Sequence, residues 1–209
     1  MSPPSSDRQY AGRSKEQRIS QRREQFIEAG IQVFGSAGYH GATVRKLCAE
    51  AGLTARYFYE SFDSTEALLL AVFEQCMQRI TDHVSVAVEA ATSGESSDHL
   101  IDTVLDAFFI EMQDKRIARL LMLEVLGVSD MVNDKTNQQL NALGDLIINL
   151  VSAMHPSWHQ MEEQRGTLLG VAVLGAMRQA TIHWMVNDYE LDRAAVVQTT
   201  SLLVKGLLK

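Results

Sequence analysis

The chain has 209 residues, 46% of them hydrophobic, with only 3 prolines and 13 glycines to interrupt long helices. Its two cysteines, Cys48 and Cys76, form no CxxC and each falls on an apolar helix face. That excludes a disulfide scaffold and leaves buried free thiols in a reducing compartment as the expectation. The start, MSPPSSDRQYAGRS, lacks the apolar core of a signal peptide, and the stretch from Gly166 to Met177, bounded by Arg165 and Arg178, is too short to span a bilayer. A soluble cytoplasmic chain is therefore expected. The formal net charge is −7, but residues 1–56 carry +4 and residues 57–209 carry −11. A basic end on an acidic body is the electrostatic footprint of a nucleic-acid-binding head.

Residues 1–15 read as a disordered basic arm. Arg8, Arg13, Lys15, Arg18, Arg22 and Arg23 cluster there and just beyond, either as a solvated tail or as an arm that follows phosphates or enters a minor groove. A first helix is predicted from Glu16 to Ala37, with Phe26, Gly30, Val33 and Ala37 along one seam and Gly38 closing it. The next stretch, TVRKLCAEAGLTARYFYESF from Thr43 to Phe62, reads as two short helices. Val44, Leu47, Cys48 and Ala51 make one apolar stripe behind Thr43, a good N-cap. Gly52 ends the stripe where a left-handed residue is cheap. Thr54 opens a second helix with Phe58 and Phe62 facing inward. This is the layout of a helix-turn-helix, whose second helix enters the major groove. Arg45, Lys46 and Arg56 supply cations, and Thr54, Tyr57, Tyr59 and Ser61 supply hydroxyls for phosphates or base edges. Any short helical hairpin with a glycine turn shows the same stripe, so this pattern alone leaves a plain hairpin open.

Ser64 is the expected cap of a long fourth helix reaching about Ala91, and Thr92 to Ser97 is a loop by composition. Further helices are predicted near 98–113, 115–127, 130–155, 160–187 and 192–208. Their punctuation is Asp98, Ser129 and Asp192 as caps, Gly127 as a stop, and His155-Pro156-Ser157 as a break. With no period-2 pattern, the prediction is all-α with about nine helices, a helix-turn-helix unit over 16–63 followed by a helical body over 64–209. No Walker loop, HExxH, GxSxG or GxGxxG occurs, so no catalytic residue and no cofactor is expected. His155 and His159 are four apart, but Pro156 interrupts a helix through both, so no metal site is expected. Glu111, Asp114 and Glu124 imitate an acid/base set, yet exposed helix carboxylates are far commoner.

Within the body, Phe108, Phe109, Met112, Met122, Met154, Met177, Trp184 and Met185 offer large or flexible apolar side chains. They are either ordinary core or the wall of a container, and the candidate pocket set is Phe108, Met112, Met122, Met177, Thr181, His183 and Trp184. The stretch GTLLGVAVLGAMRQA presents Gly166, Gly170, Ala172, Gly175, Ala176 and Ala180, which permit close helix contact. The last helix offers Ala195, Val196, Thr199, Leu202, Leu203 and Leu207 on one face. Packing within one chain and dimerisation would use these faces equally.

The segment from about Arg18 to Leu70 resembles the N-terminal domain of the TetR family of transcriptional repressors. The matching residues are FIEAGIQVFGSAGYHGAT, VRKLCAEAGLT and ARYFYESFDSTEALL. The resemblance implies an all-α regulator, dimeric through its last two long helices as a four-helix bundle, with a small molecule among the central helices. It carries Thr43 and Tyr59 onto phosphate-contact positions, and Arg45, Thr54, Ala55, Arg56 and Tyr57 onto positions near base edges or backbone. Lys46 and Ser61 join these as DNA-binding candidates by their chemistry. One departure is Thr65, where the family commonly has lysine. The expected function is a repressor that binds a near-palindromic double-stranded operator as a homodimer and is released by a small apolar or amphipathic effector. The alternative is an all-α ligand- or protein-binding dimer whose helix-turn-helix no longer binds DNA, a reading favoured by Glu60 and Asp63, which would repel phosphates.

Overall fold

A computed structural model describes residues 14–90, 96–154 and 163–207. Among these are nine α-helices, one π-helical turn and no strand: α1 Lys15–Ala37, α2 Val44–Ala51, α3 Ala55–Ser61, α4 Thr65–Ala90, α5 Ser97–Met112, α6 Lys115–Arg119, the π turn Leu120–Glu124, α7 Asp130–Met154, α8 Glu163–Val186 and α9 Arg193–Leu207. No helix among the described residues is long and apolar enough to cross a membrane. Residues 1–13, which hold most of the predicted arm, and the His155–Pro156 break lie outside them.

The sequence starts α1 with a full capping box. Ser14 Oγ accepts from Gln17 N–H at 3.1 Å, and Ser14 N–H donates back to Gln17 Oε1 at 2.8 Å. Phe26, Ile27, Gly30, Ile31, Val33 and Phe34 are buried along α1, whereas Ala37 is exposed, so the seam ends one turn earlier than its spacing predicts. The chain is already turning away at Gly38, whose φ of 74° ends the helix. Gly30 lets α4 come close: a Cβ there would sit 2.5 Å from Val72 Cγ2. Edge-on rings, Phe26 to Phe58 at 5.4 Å and Phe26 to Phe62 at 6.4 Å, lock α3 onto α1.

From Ser64, whose Oγ accepts from Ala67 N–H at 3.0 Å, α4 runs out of this three-helix unit into the rest of the molecule. Its first turns bury Leu68, Leu69 and Val72, and its later ones Cys76, Ile80 and Val84. The second half of the chain packs as α5 against α4 and α9, and α7 against α8. At the α7–α8 crossing a Cβ on Gly170 would lie 2.6 Å from the Gly144 carbonyl oxygen. Part of the small-residue pattern of α8 is therefore used within the chain.

Two boundaries differ from the sequence expectation. Ser96, not Asp98, caps α5, its Oγ accepting from His99 N–H at 3.3 Å. The single helix predicted near 115–127 is split into α6 and the π turn before Gly127 stops it at φ 75°. Asp192 caps α9 as predicted, accepting from Ala195 N–H at 2.7 Å.

Candidate nucleic-acid interface and body cavity

Seven of the nine DNA-binding candidates present open side chains around the α2–α3 turn: Thr43, Arg45, Lys46, Thr54, Ala55, Arg56 and Tyr59. Thr43, in extended conformation, caps α2 by accepting Lys46 N–H at 3.3 Å, and Lys46 Nζ donates to the Gly41 carbonyl at 2.8 Å. Gly52 adopts the left-handed φ of 65° that the turn requires, and Leu53 N–H then closes back on the Cys48 carbonyl at 3.0 Å. Thr54 stands at the N-cap of α3, but its hydroxyl makes no cap bond. Tyr59 is 61% exposed on α3. The other two candidates are occupied. The Tyr57 ring lies under the Arg22 guanidinium at 4.1 Å, and Ser61 Oγ donates to the Tyr57 carbonyl at 2.9 Å.

Sequence reasoning missed what Arg22 and Arg23 do. Neither belongs to a solvated arm. Arg22 reaches Glu60 Oε2 at 3.0 Å, while Arg23 stacks on Phe62 at 4.3 Å and donates to the Ser61 carbonyl at 3.1 Å. Together they bind the C-terminal half of α3 to α1. Glu60 also accepts from Arg56 Nε at 3.0 Å, so its charge is shared between two guanidinium groups. The phosphate repulsion expected of Glu60 is thereby offset. The only sequence signal was the i,i+4 spacing of Arg56 and Glu60.

A second candidate site is a cavity of about 250 Å³ between α4, α5, α7 and α8, closed on one side by the π turn. Phe73, Met77, Ile80, Leu121, Leu140 and Leu174 give it an apolar wall. Phe108, Met122 and Met177 of the candidate pocket set also line it. Its polar groups are few: Thr136, whose buried hydroxyl has no partner among the described residues, Asn137, Asn141 and Arg178, which donates to the Met122 carbonyl at 2.8 Å. An open groove of about 440 Å³ between α4 and α7 shares Met77 and Leu143 with it and adds Glu74, Gln78, Thr81 and Gln139.

The other four candidates do not reach the cavity wall. Met112 is fully buried in the core, Thr181 Oγ1 donates to the Met177 carbonyl at 2.9 Å, and His183 is exposed beside Asn187. Trp184 packs edge-on between Phe109 at 6.1 Å and Tyr189 at 4.7 Å, with Nε1 donating to the Leu191 carbonyl at 2.7 Å. It closes the α8–α9 corner. Glu111, expected on an exposed face, is only 6% exposed, with Arg79 at 2.9 Å and His83 at 3.1 Å. Its Oε2 meets Arg79 as a charge contact without an aligned hydrogen bond.

The π turn joins cavity to helix-turn-helix. Leu121 and Met122 face the cavity, while Glu124 of the same turn accepts Tyr39 N–H at 2.9 Å and Arg119 Nε at 2.8 Å. Arg119 in turn donates to the Ser36 carbonyl at the end of α1.

Residues 26–72 match the profile of bacterial regulatory proteins of the tetR family. The chain is 23% identical over 181 residues to the HTH-type transcriptional activator FasR of Mycolicibacterium smegmatis, covering 86% of this chain and 80% of that protein. It is likewise 23% identical over 185 residues to the fatty acid metabolism regulator protein of Bacillus subtilis, covering 88% and 94%. The crystal structure of the transcriptional regulator FadR from Bacillus subtilis in complex with stearoyl-CoA shares the fold, with a TM-score of 0.75 at 20% identity over 86% of this chain and 96% of that one. A left-handed glycine turn, an open α3 and a profile match centred on both identify residues 26–72 as a helix-turn-helix domain of the tetR type, and the chain as a whole is similar to transcriptional regulators that carry it.

Proposed function

We infer that this protein is a cytoplasmic, dimeric repressor whose operator affinity falls when an acyl-chain-bearing amphipath occupies the body cavity. The observation that carries the reading is the π turn, one segment that walls the cavity with Leu121 and Met122 and grips Tyr39 through Glu124. An effector that displaces this turn has a direct mechanical hold on the end of α1. The apolar lining suits an acyl chain, and the open groove between α4 and α7, where Gln78, Thr81 and Gln139 offer hydrogen-bonding groups, suits its head group. Two relatives, a fatty acid metabolism regulator and a FadR bound to stearoyl-CoA, support the same chemical class. Residues 16–63 would serve as the DNA-binding unit and 64–209 as the effector and dimer unit. Leu168 and Val171 on α8 and Leu202 and Leu203 on α9 are exposed and supply an apolar face for a second copy. A hundredfold drop in operator affinity needs about 2.7 kcal/mol of coupling between the sites.

The test is selection of operators from random duplex DNA, followed by titration with acyl-CoA thioesters of graded chain length. A near-palindromic site released by one chain-length class is the expected result. Operator binding unmoved by every amphipath would sink the effector assignment, and failure to select any DNA would favour the non-DNA-binding alternative. Transcription in vitro from the selected operator separates repression, expected here, from activation.

A further inference from the structure

We propose that Glu60 is a positioning residue that holds Arg56 for bidentate recognition of guanine in the operator half-site. This inference rests on the DNA-binding reading of α3. Arg56 stands in the first turn of α3, where recognition-helix residues meet base edges, and its side chain is 84% exposed. An arginine so exposed would ordinarily sample many rotamers and lose that freedom on binding. Here Glu60 Oε1 accepts a hydrogen bond from Arg56 Nε–H at 3.0 Å and leaves both terminal amino groups for another partner. Those two groups are the donor pair that fits guanine O6 and N7.

The buttress is itself supported. Glu60 Oε2 accepts from Arg22 at 3.0 Å, and Arg22 is fixed by its Nε bond to the Arg18 carbonyl at 3.1 Å and by its seat on the Tyr57 ring at 4.1 Å. The carboxylate therefore has one oxygen anchored to α1 and the other steering Arg56. Two cations share one anion, so the trio presents net positive charge to the duplex. A glutamate in a DNA-reading helix is otherwise a liability, because it repels phosphate. Its placement between two arginines is accounted for if it sets the geometry of one of them.

The experiment measures affinity of wild type, Arg56→Ala, Arg56→Lys and Glu60→Gln for a panel of selected operators carrying every single-base change, at fixed salt. Wild type should prefer guanine at one half-site position by about tenfold or more, as a bidentate arginine–guanine pair provides. Arg56→Ala should abolish that preference. Arg56→Lys, which keeps the charge but not the fork, should weaken it with the salt slope unchanged. Glu60→Gln keeps the side-chain shape but offers one acceptor to two arginines, and should reduce the preference at the same position severalfold without reducing mean affinity. Circular dichroism of each variant checks that the helices persist, and Glu60→Asp, whose shorter side chain draws the carboxylate away from Arg56, takes the place of Glu60→Gln with the same expected loss of preference if that variant does not fold. Uniformly tighter binding by Glu60→Gln with every base preference intact would overturn the proposal, since that is simple removal of a repulsive charge. An unaltered preference in Arg56→Ala would overturn it too. Absence of DNA binding by the wild type would instead defeat the DNA-binding reading beneath it.

Discussion

At the scale of single residues, the same side-chain type serves different ends according to what surrounds it. Trp184 looked like a pocket residue because aromatics with nearby His and Thr line many binding sites, but it is 4% exposed and bonded to the Leu191 carbonyl. Trp184→Ala should therefore cost about 3–5 kcal/mol of unfolding free energy, as truncation of a buried aromatic does. Trp184→Phe, which keeps a ring but strands that carbonyl, should cost less. Denaturant midpoints give both values, and acyl-CoA affinity per folded molecule should be unchanged. Composition announced that Phe108, Met122 and Met177 were large and apolar. It did not announce which faces meet an empty space, because that depends on the relative rotation of α4, α5, α7 and α8. The role of Arg22 was hidden for a similar reason: Glu60 is 38 residues away in the chain.

At the scale of elements, caps were the most legible feature, since Thr43, Gly52, Ser64 and Asp192 act on backbone groups within a few positions. The π turn was not legible, because it is fixed by contacts far along the chain, Glu124 on Tyr39 and Arg178 on Met122. The α8 glycines signalled close approach but not the partner, and the structure places Gly144 of the same chain against Gly170. The docking of α9 on α5 has an electrostatic component. Lys205 Nζ donates to Asp102 Oδ1 at 2.8 Å and Oδ2 at 2.9 Å, and Ser201 donates to the same carboxylate. Burial raises the Asp102 pKa, but these bonds and the lysine charge outweigh it and hold the group below its ordinary 3.8. A lowered folded-state pKa means stability that is present above 3.8 and lost as pH falls through the folded value. Asp102→Asn should unfold more easily than wild type at pH 7, and the two midpoints should converge in acid below that value. A gap that persists at low pH would show that the asparagine disturbs packing instead.

At the scale of the whole molecule, the proposed regulation requires that occupancy of one region be felt in another, and Glu124 is one contact, beside α4 itself, through which this chain can do so. Glu124→Gln retains one acceptor oxygen for two donors, Tyr39 N–H and Arg119. Effector should bind this variant as before, while its effect on operator affinity shrinks from about a hundredfold to about tenfold or less. Calorimetry with the effector and gel shifts on the same preparation test the two halves of that statement. The two thiols add a means of timing such motions. Cys76 is wholly enclosed on α4, and burial pushes its thiol up to about 12, so at neutral pH it holds almost no reactive thiolate. Cys48 lies on α2, 9% exposed, its thiol also raised by burial. An alkylating reagent can reach either sulfur only when its surroundings open, so each labelling rate is a clock for one region. With the native sequence and no added probe, Cys48 times the opening of the helix-turn-helix and Cys76 that of the long helix beneath it.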